Sequence, residues 1–351
     1  MAEVSLNKNN SSRSFRLLLL LSLLVPIFFL LDLLVGSYYV SIPDILKAIF
    51  SPESADSQVV LIINQFRIPK AFTAILAGAA LSVAGLQMQT VFRNPLAGPY
   101  ILGVSSGASL GVALLVLGTG GLLGGSMVSA VSSWGIVAAA WIGSGLILLV
   151  IVMISARIKD ILTILILGIL ISSAISAIVN ILQYFSNESM LKSFVVWTMG
   201  SLGSVTIVQL SVLFPSVLIG IGIAFLSSKF LDAFLLGENY ARSMGMNIRF
   251  ARMLVFLSTC ILAGSITAFC GPIGFIGIAV PHIARMVLQT ARHILLVPGT
   301  ILIGALMMLV SDIISQLPGS EHTLPVNSVT ALMGIPIVIW IIIRNQKMGA
   351  I

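Results

Sequence analysis

The sequence predicts an all-α polytopic membrane protein with about ten transmembrane helices. Three observations carry that prediction. Only 8% of the 351 residues are charged, against about 25% in a soluble domain, too few to cover a globule of this length. The apolar residues, 58% of the chain, come in long blocks, and 15–35 and 161–185 each hold a run long enough to cross the hydrocarbon core, which takes roughly 20 residues. Lipid offers the backbone no hydrogen-bond partners, so such runs must be helical.

In chain order the spans fall at 15–36, 70–92, 101–118, 128–154, 161–184, 205–228, 250–269, 274–290, 293–316 and 325–343. The first follows Lys8, Arg13 and Arg16 as a signal peptide would, but its apolar run is too long and no A-x-A-like cleavage site follows. It is read as an uncleaved span behind a cytoplasmic tail, 1–14. The second ends where Asn94-Pro95 breaks the helix in a turn. Small residues at Gly103, Ser105, Ser106, Gly107 and Ala108 let the third approach its neighbours closely. Ser189–Trp197 reads as a short amphipathic piece on the bilayer surface, outside the membrane. The whole chain, 1–351, is expected to form one transmembrane domain.

Charge tests the topology. With the N-terminus in the cytoplasm, fourteen of the eighteen Lys and Arg lie inside, from Lys8 to Arg344 and Lys347. Only Lys47, Arg67, Lys70 and Lys192 lie outside. That bias supports an even number of spans and two cytoplasmic termini. The net charge of +7 is spread singly between apolar runs, with no basic stripe of the kind that binds nucleic acid.

A repeat is visible. Ile75-Leu76-Ala77-Gly78 returns as Ile261-Leu262-Ala263-Gly264, each followed seven residues on by a glycine, Gly85 and Gly271, and then by a proline stretch. The first copy runs inward and the second outward, so spans 2–5 and 7–10 read as an inverted repeat.

Chemistry is sparse. Asp32 and Asp312 are the acids in or near span interiors, fewer than ion-driven pumps keep. Asp312, four residues before Gln316, reads as a local pair or an interhelical hydrogen bond. Cys260 and Cys270 would lie about 15 Å apart on one helix, too far for a disulfide. His282 has no partner at metal-ligand spacing, and no catalytic triad, cofactor site or metal site is expected. No Gly-Lys pair exists, so there is no P-loop. Energy for uphill transport would then enter through another subunit, and the chain would not itself be an enzyme.

The segment 229–249, between spans six and seven, is where it could enter. Leu236-Gly237 closes one helical turn, Glu238–Ser243 fits a short helix with an acid at its start, and Gly245 ends it. Two short helices meeting at a glycine would form a compact knob that a partner can push, the other reading being a plain solvated loop.

Six stretches in order resemble the permease subunits of type II ABC importers for iron–siderophores, haem and cobalamin, the FecCD-like family. They are Arg67-Ile68-Pro69-Lys70; Gly78-Ala79-Ala80-Leu81 with Gly85-Leu86-Gln87-Met88-Gln89; Asn94-Pro95-Leu96-Ala97-Gly98-Pro99 with Leu102–Ala108; Leu236–Gly245; Gly271–Gly277 with Pro281-His282 and Arg285; and Leu324-Pro325-Val326 with Thr330 and Gly334-Ile335-Pro336. The resemblance implies a homodimer in the cytoplasmic (inner) membrane, two ABC ATPase subunits below, a periplasmic or surface solute-binding protein above, and a metal chelate as cargo, with iron–siderophore first. Arg67 and Lys70 would meet acids of the binding protein, lipid phosphate being the other reading. Asn94 and Leu96 would narrow the inner end of the path, with 157–161 completing the gate. Leu236, Gly237, Glu238, Ala241, Arg242 and Gly245 would form the ATPase coupling loop. Lys70, Gln316 and Thr323 stand where the family often carries arginine, arginine and an acid, which weakens the charge of the docking patch. A stand-alone ion-driven secondary transporter is the alternative.

Overall fold

The computed structural model describes residues 2–36, 38–118, 133–158, 160–316 and 323–348. Lys159 and the first residues of the span expected at 128–154 lie outside them, as do the side chains of Lys8, Arg344 and Lys347. The described residues form helices and connecting turns, with no strand among them.

Ten of these helices hold apolar stretches suited to a bilayer, seven of them long and three of 10–17 residues, the last of the three being the Val326–Trp340 part of α15. In order they are α1 Ala2–Leu34, α4 Ile68–Val91, α5 Val104–Val116, α6 Ser133–Arg157, α7 Ile161–Phe185, α9 Ile207–Leu226, α12 Ile248–Cys270, α13 Ile276–Leu288, α14 His293–Ser315 and α15 Val326–Met348. The rest are short: α2 Ile42–Phe50, α3 Ser57–Leu61, α8 Glu188–Thr198, α10 Ser228–Leu236 and α11 Glu238–Ser243. The expected surface piece is α8. Asn187 caps it, its side chain accepting from the Met190 amide.

Helix lengths carry the repeat. Helices α4 to α7 run 24, 13, 25 and 25 residues, and α12 to α15 run 23, 13, 23 and 23. Each 13-residue helix follows a residue with positive φ, Gly103 at 78° and Phe275 at 66°. The glycines paired by sequence sit differently. Gly85 lies inside α4, whereas Gly271, at φ 74°, ends α12.

One difference concerns the segment before α4. The second helix was expected to begin near Lys70, and it begins thirteen residues earlier, at Ser57. Asp56 caps α3, a π-helical stretch Ile62–Arg67 follows, and α4 continues from it. Pro69 has no N–H to give to a preceding carbonyl, and the wider turn absorbs that loss. Ile68 accordingly bonds five residues back, to Ile63. Helix α2 was also not foreseen. It is nine residues long, capped by Ser41, with Pro43 in its first turn.

The described chain gathers into two compact units. The first comprises 1–86, 202–214 and 274–351. Its helices meet through glycine: a Cβ on Gly78 would collide with the backbone of Gly304, and one on Gly85 with Gly277. Helix α4 reads Ala-Ile-Leu-Ala-Gly-Ala-Ala across this region, and 89% of its most apolar stretch is buried. Small side chains thus permit close backbone approach without a hydrophobic drive between helices. The second unit comprises 87–201 and 215–273. There α5 lies against α6, with Gly107 facing Gly143 and Gly111 facing Ala139. Its core joins Met88, Phe92, Ile151, Ile164, Leu231, Phe234 and Phe256, and the Phe92 and Phe256 rings stack at 6.1 Å. Cys260 and Cys270 both lie on α12, buried and unbridged.

Candidate coupling, gating and docking sites

The segment 229–249 folds as two helices about one glycine. Gly237 takes φ 114° and ψ 145°, a region that side chains rarely adopt, so α10 stops there and α11 starts in a new direction. Gly245, at φ 83°, ends α11, and the Met246 N–H returns to the Ala241 carbonyl at 3.1 Å. Asn247 then caps α12, its Oδ1 accepting from the Phe250 amide at 3.2 Å. Ala241 is fully buried in the same core as Leu231 and Phe234. Arg252, almost buried, donates to Glu238 Oε1, with its Nε at 3.0 Å. The knob is therefore anchored to the unit, while Leu235, Leu236, Tyr240 and Met244 are 45–64% exposed. Four large apolar side chains on one short connection form an adhesive patch of the kind that marks a protein partner.

The loop after α4 is tied to this knob. Arg93, at φ 48°, turns the chain and donates from Nε to the Phe234 carbonyl at 3.0 Å and from Nη2 to the Leu235 carbonyl at 3.3 Å. These carbonyls belong to the last turn of α10, where backbone oxygens lack helical partners and a cation is favoured. Next to Arg93, the Asn94 side chain accepts from the Leu96 amide at 2.9 Å, an Asx turn that fixes the loop. Leu96 is 46% exposed at its tip. The gate candidates Asn94 and Leu96 and the coupling candidates Leu236 to Gly245 thus meet through Arg93. By sequence alone, Arg93 is one more cation among those expected inside. The signal it carried was being the single charge between Val91 and Pro99, directly before an Asn-Pro break.

Arg67 and Lys70 are both held internally. Arg67 is 8% exposed and reaches the end of α1, donating from Nη1 to the Leu33 carbonyl at 2.6 Å and from Nη2 to the Tyr38 carbonyl. It works as a C-cap for α1. Lys70 lies 3.0 Å from Asp312 Oδ1 and keeps 19% of its side chain exposed. Gln316 Nε2 donates to Asp312 at 3.1 Å and to Asp32 at 2.9 Å, so the expected Asp312–Gln316 contact forms and gains Asp32. Thr323 is exposed.

A cavity of about 530 Å³ opens along α7, with Tyr100, Ser106, Ser172, Ser173, Ser176 and Asn180 in its wall. Ser172, Ser173 and Ser176 donate to carbonyls of their own helix and give it one polar stripe. Just before the apolar stretch, Asp160 caps α7: Thr163 donates to it from Oγ1 at 2.6 Å and from the amide at 2.9 Å. Those bonds, the Thr163 hydroxyl foremost, hold its carboxyl below the usual range. Among the described residues, no three His, Cys, Asp or Glu gather as a metal site.

Ten apolar helices in a repeated order, two of them joined by a knob with an exposed apolar face, define a polytopic membrane permease. The sequence profile of the FecCD transport family matches residues 23–344. The vitamin B12 import system permease protein BtuC of Salmonella paratyphi A is 33% identical over 341 residues, covering 97% of this chain and 98% of its own. The protein of the same name from Salmonella typhimurium matches to the same extent. A solved structure described as an inward-facing conformation of a metal-chelate type ABC transporter superposes with a TM-score of 0.80 at 31% identity, over 92% of this chain and 96% of that one. The chain belongs to the FecCD transport family.

Proposed function

We propose that this chain is the membrane-spanning permease subunit of an ATP-driven importer of a metal chelate. It works as a homodimer in the cytoplasmic membrane, with both termini in the cytoplasm. Residues 1–351 act as one permease domain, with 1–14 as a cytoplasmic tail and 229–249 as the coupling loop. Two ABC ATPase subunits supply the hydrolysis. The observation that carries the reading is the bond from Arg93 to α10, because it joins the surface an ATPase would push to the loop that would close the path. Asn94 and Leu96 form that inner gate. A solute-binding protein docks where Arg67 and Lys70 end the outer face. Arg67 serves there by shaping the end of α1, and Lys70 by its exposed fraction of charge. The hydroxyl stripe on α7 lines the solute path.

The names of the Salmonella relatives and of the superposed transporter support a chelate as cargo. Iron–siderophore is the cargo expected from the resemblance, with haem and cobalamin as its alternatives. The ion-driven reading has less support, since Asp32 and Asp312 are engaged by Gln316 and Lys70.

Co-purification tests the partner. The intact permease should retain its ATPase, and Leu236→Glu, which places a charge on the exposed knob, should release it. Retention by that variant would contradict the coupling assignment. Deleting the gene and comparing growth on siderophore iron, haem iron and cobalamin then identifies the cargo.

A further inference from the structure

Beside the coupling knob lies a cavity of about 300 Å³, walled by Arg242, Arg249 and Arg252 with Ser155 and Asn247, and by the apolar Ile158, Met246 and Ile248. A smaller one, about 130 Å³, adjoins it: Ser155 and Arg249 line both, and Val152, Phe250, Met253 and Phe256 complete the second. The two halves differ in chemistry. Three guanidinium groups wall the first, and the first turn of α12 adds the partial positive charge of its amides. Two acids stand near. Glu238 is engaged by Arg252, and Asp160 accepts from Thr163 and Leu162. Arg242 and Arg249 are exposed and remain for an anion. The second half is apolar and opens outward, with Phe250 46% and Met253 42% exposed at the start of a membrane span.

A soluble anion would use only the first half, and a plain apolar chain only the second. An amphiphile with a negative head uses both. We propose that this paired pocket binds an anionic phospholipid, its phosphate between Arg242 and Arg249 and an acyl chain along Phe250 and Met253. On the orientation proposed above the lipid belongs to the cytoplasmic leaflet, but the binding itself depends on no transport activity. Because Arg252 walls the pocket and holds Glu238 of α11, an occupied site braces the coupling knob from the bilayer side.

The test is lipid retention by the full-length protein in native mass spectrometry, offering phosphatidylglycerol or phosphatidylcholine. The protein should retain phosphatidylglycerol about 30-fold more strongly, since two basic groups near an anionic headgroup contribute about 1 kcal/mol each at 1.4 kcal/mol per decade. Arg242→Gln with Arg249→Gln should remove the preference, and Met253→Ser should weaken retention of both lipids. Lys192→Gln, on α8, should change nothing. Equal retention of the two lipids, or an unchanged preference in the double variant, overturns the proposal. So does displacement of the lipid by millimolar inorganic phosphate with Met253→Ser silent, which would mark a phosphate site instead. No outcome involves ATP or uptake, so failure here is separate from failure of the permease reading.

Discussion

Replacing Arg93 with glutamine should separate ATP use from transport. Arg93 makes two bonds to the end of α10, at 3.0 and 3.3 Å. A hydrogen bond from a charged donor contributes about 1.5–3 kcal/mol when shielded. Arg93 is exposed, so water replaces part of each bond, and the Phe234 carbonyl keeps the Gly237 amide at 3.2 Å as a second partner. A combined loss of about 1–2 kcal/mol follows, no more than one shielded bond of this kind would contribute. At 1.4 kcal/mol per decade this shifts the balance between tied and untied loops by about 5- to 30-fold. The assay is solute imported per ATP hydrolysed, in proteoliposomes holding the permease with its ATPase and binding protein. Arg93→Gln should lower that ratio severalfold while the ATPase still binds through Leu236 and Tyr240. An unchanged ratio, with the variant folded, would refute the link between knob and gate.

Three further outcomes are expected. Glu238→Ala takes the carboxylate from nearly buried Arg252. It should lower thermal stability by about 2 kcal/mol, less than the roughly 3–5 kcal/mol of a fully buried pair, because Glu238 is 24% exposed. Gly111→Val drives a side chain into the Ala139 carbonyl and should cost about 1–3 kcal/mol in detergent melts, whereas Gly145→Ala, with open space around its Cβ, should cost nothing. Asp160 has its carboxyl lowered by the Thr163 bonds, so its stabilisation is complete above the unfolded Asp value of about 3.9 and fades as pH falls through the lower folded value. Acid melting profiles of the Asp160→Asn variant should lose that component.

Much of the architecture was legible in the amino acids. Span lengths follow from the bilayer, so boundaries such as 161–184 and 293–316 fall within a residue or two of α7 and α14. Gly237 and Gly245 marked the knob because glycine takes positive φ without strain, 114° and 83° here. What stayed hidden depends on long side chains and on proline. Arg93 and Phe234 are 141 residues apart, and no local pattern says where a scattered arginine reaches. Pro69 reads as a helix start, yet the π-helical turn carries the helix back to Ser57 and buries Arg67 against α1. Arg252 and Glu238, fourteen residues apart across two helix ends, met only once Gly237 and Gly245 had set the angles.

The central claim is that ATP hydrolysed by a partner drives this permease. The direct measurement is chelate uptake into proteoliposomes, with and without the ATPase and the binding protein. Uptake that requires both proteins and ATP, and is indifferent to proton and sodium gradients, is the predicted result. Uptake by this chain alone, driven by an ion gradient, would contradict it.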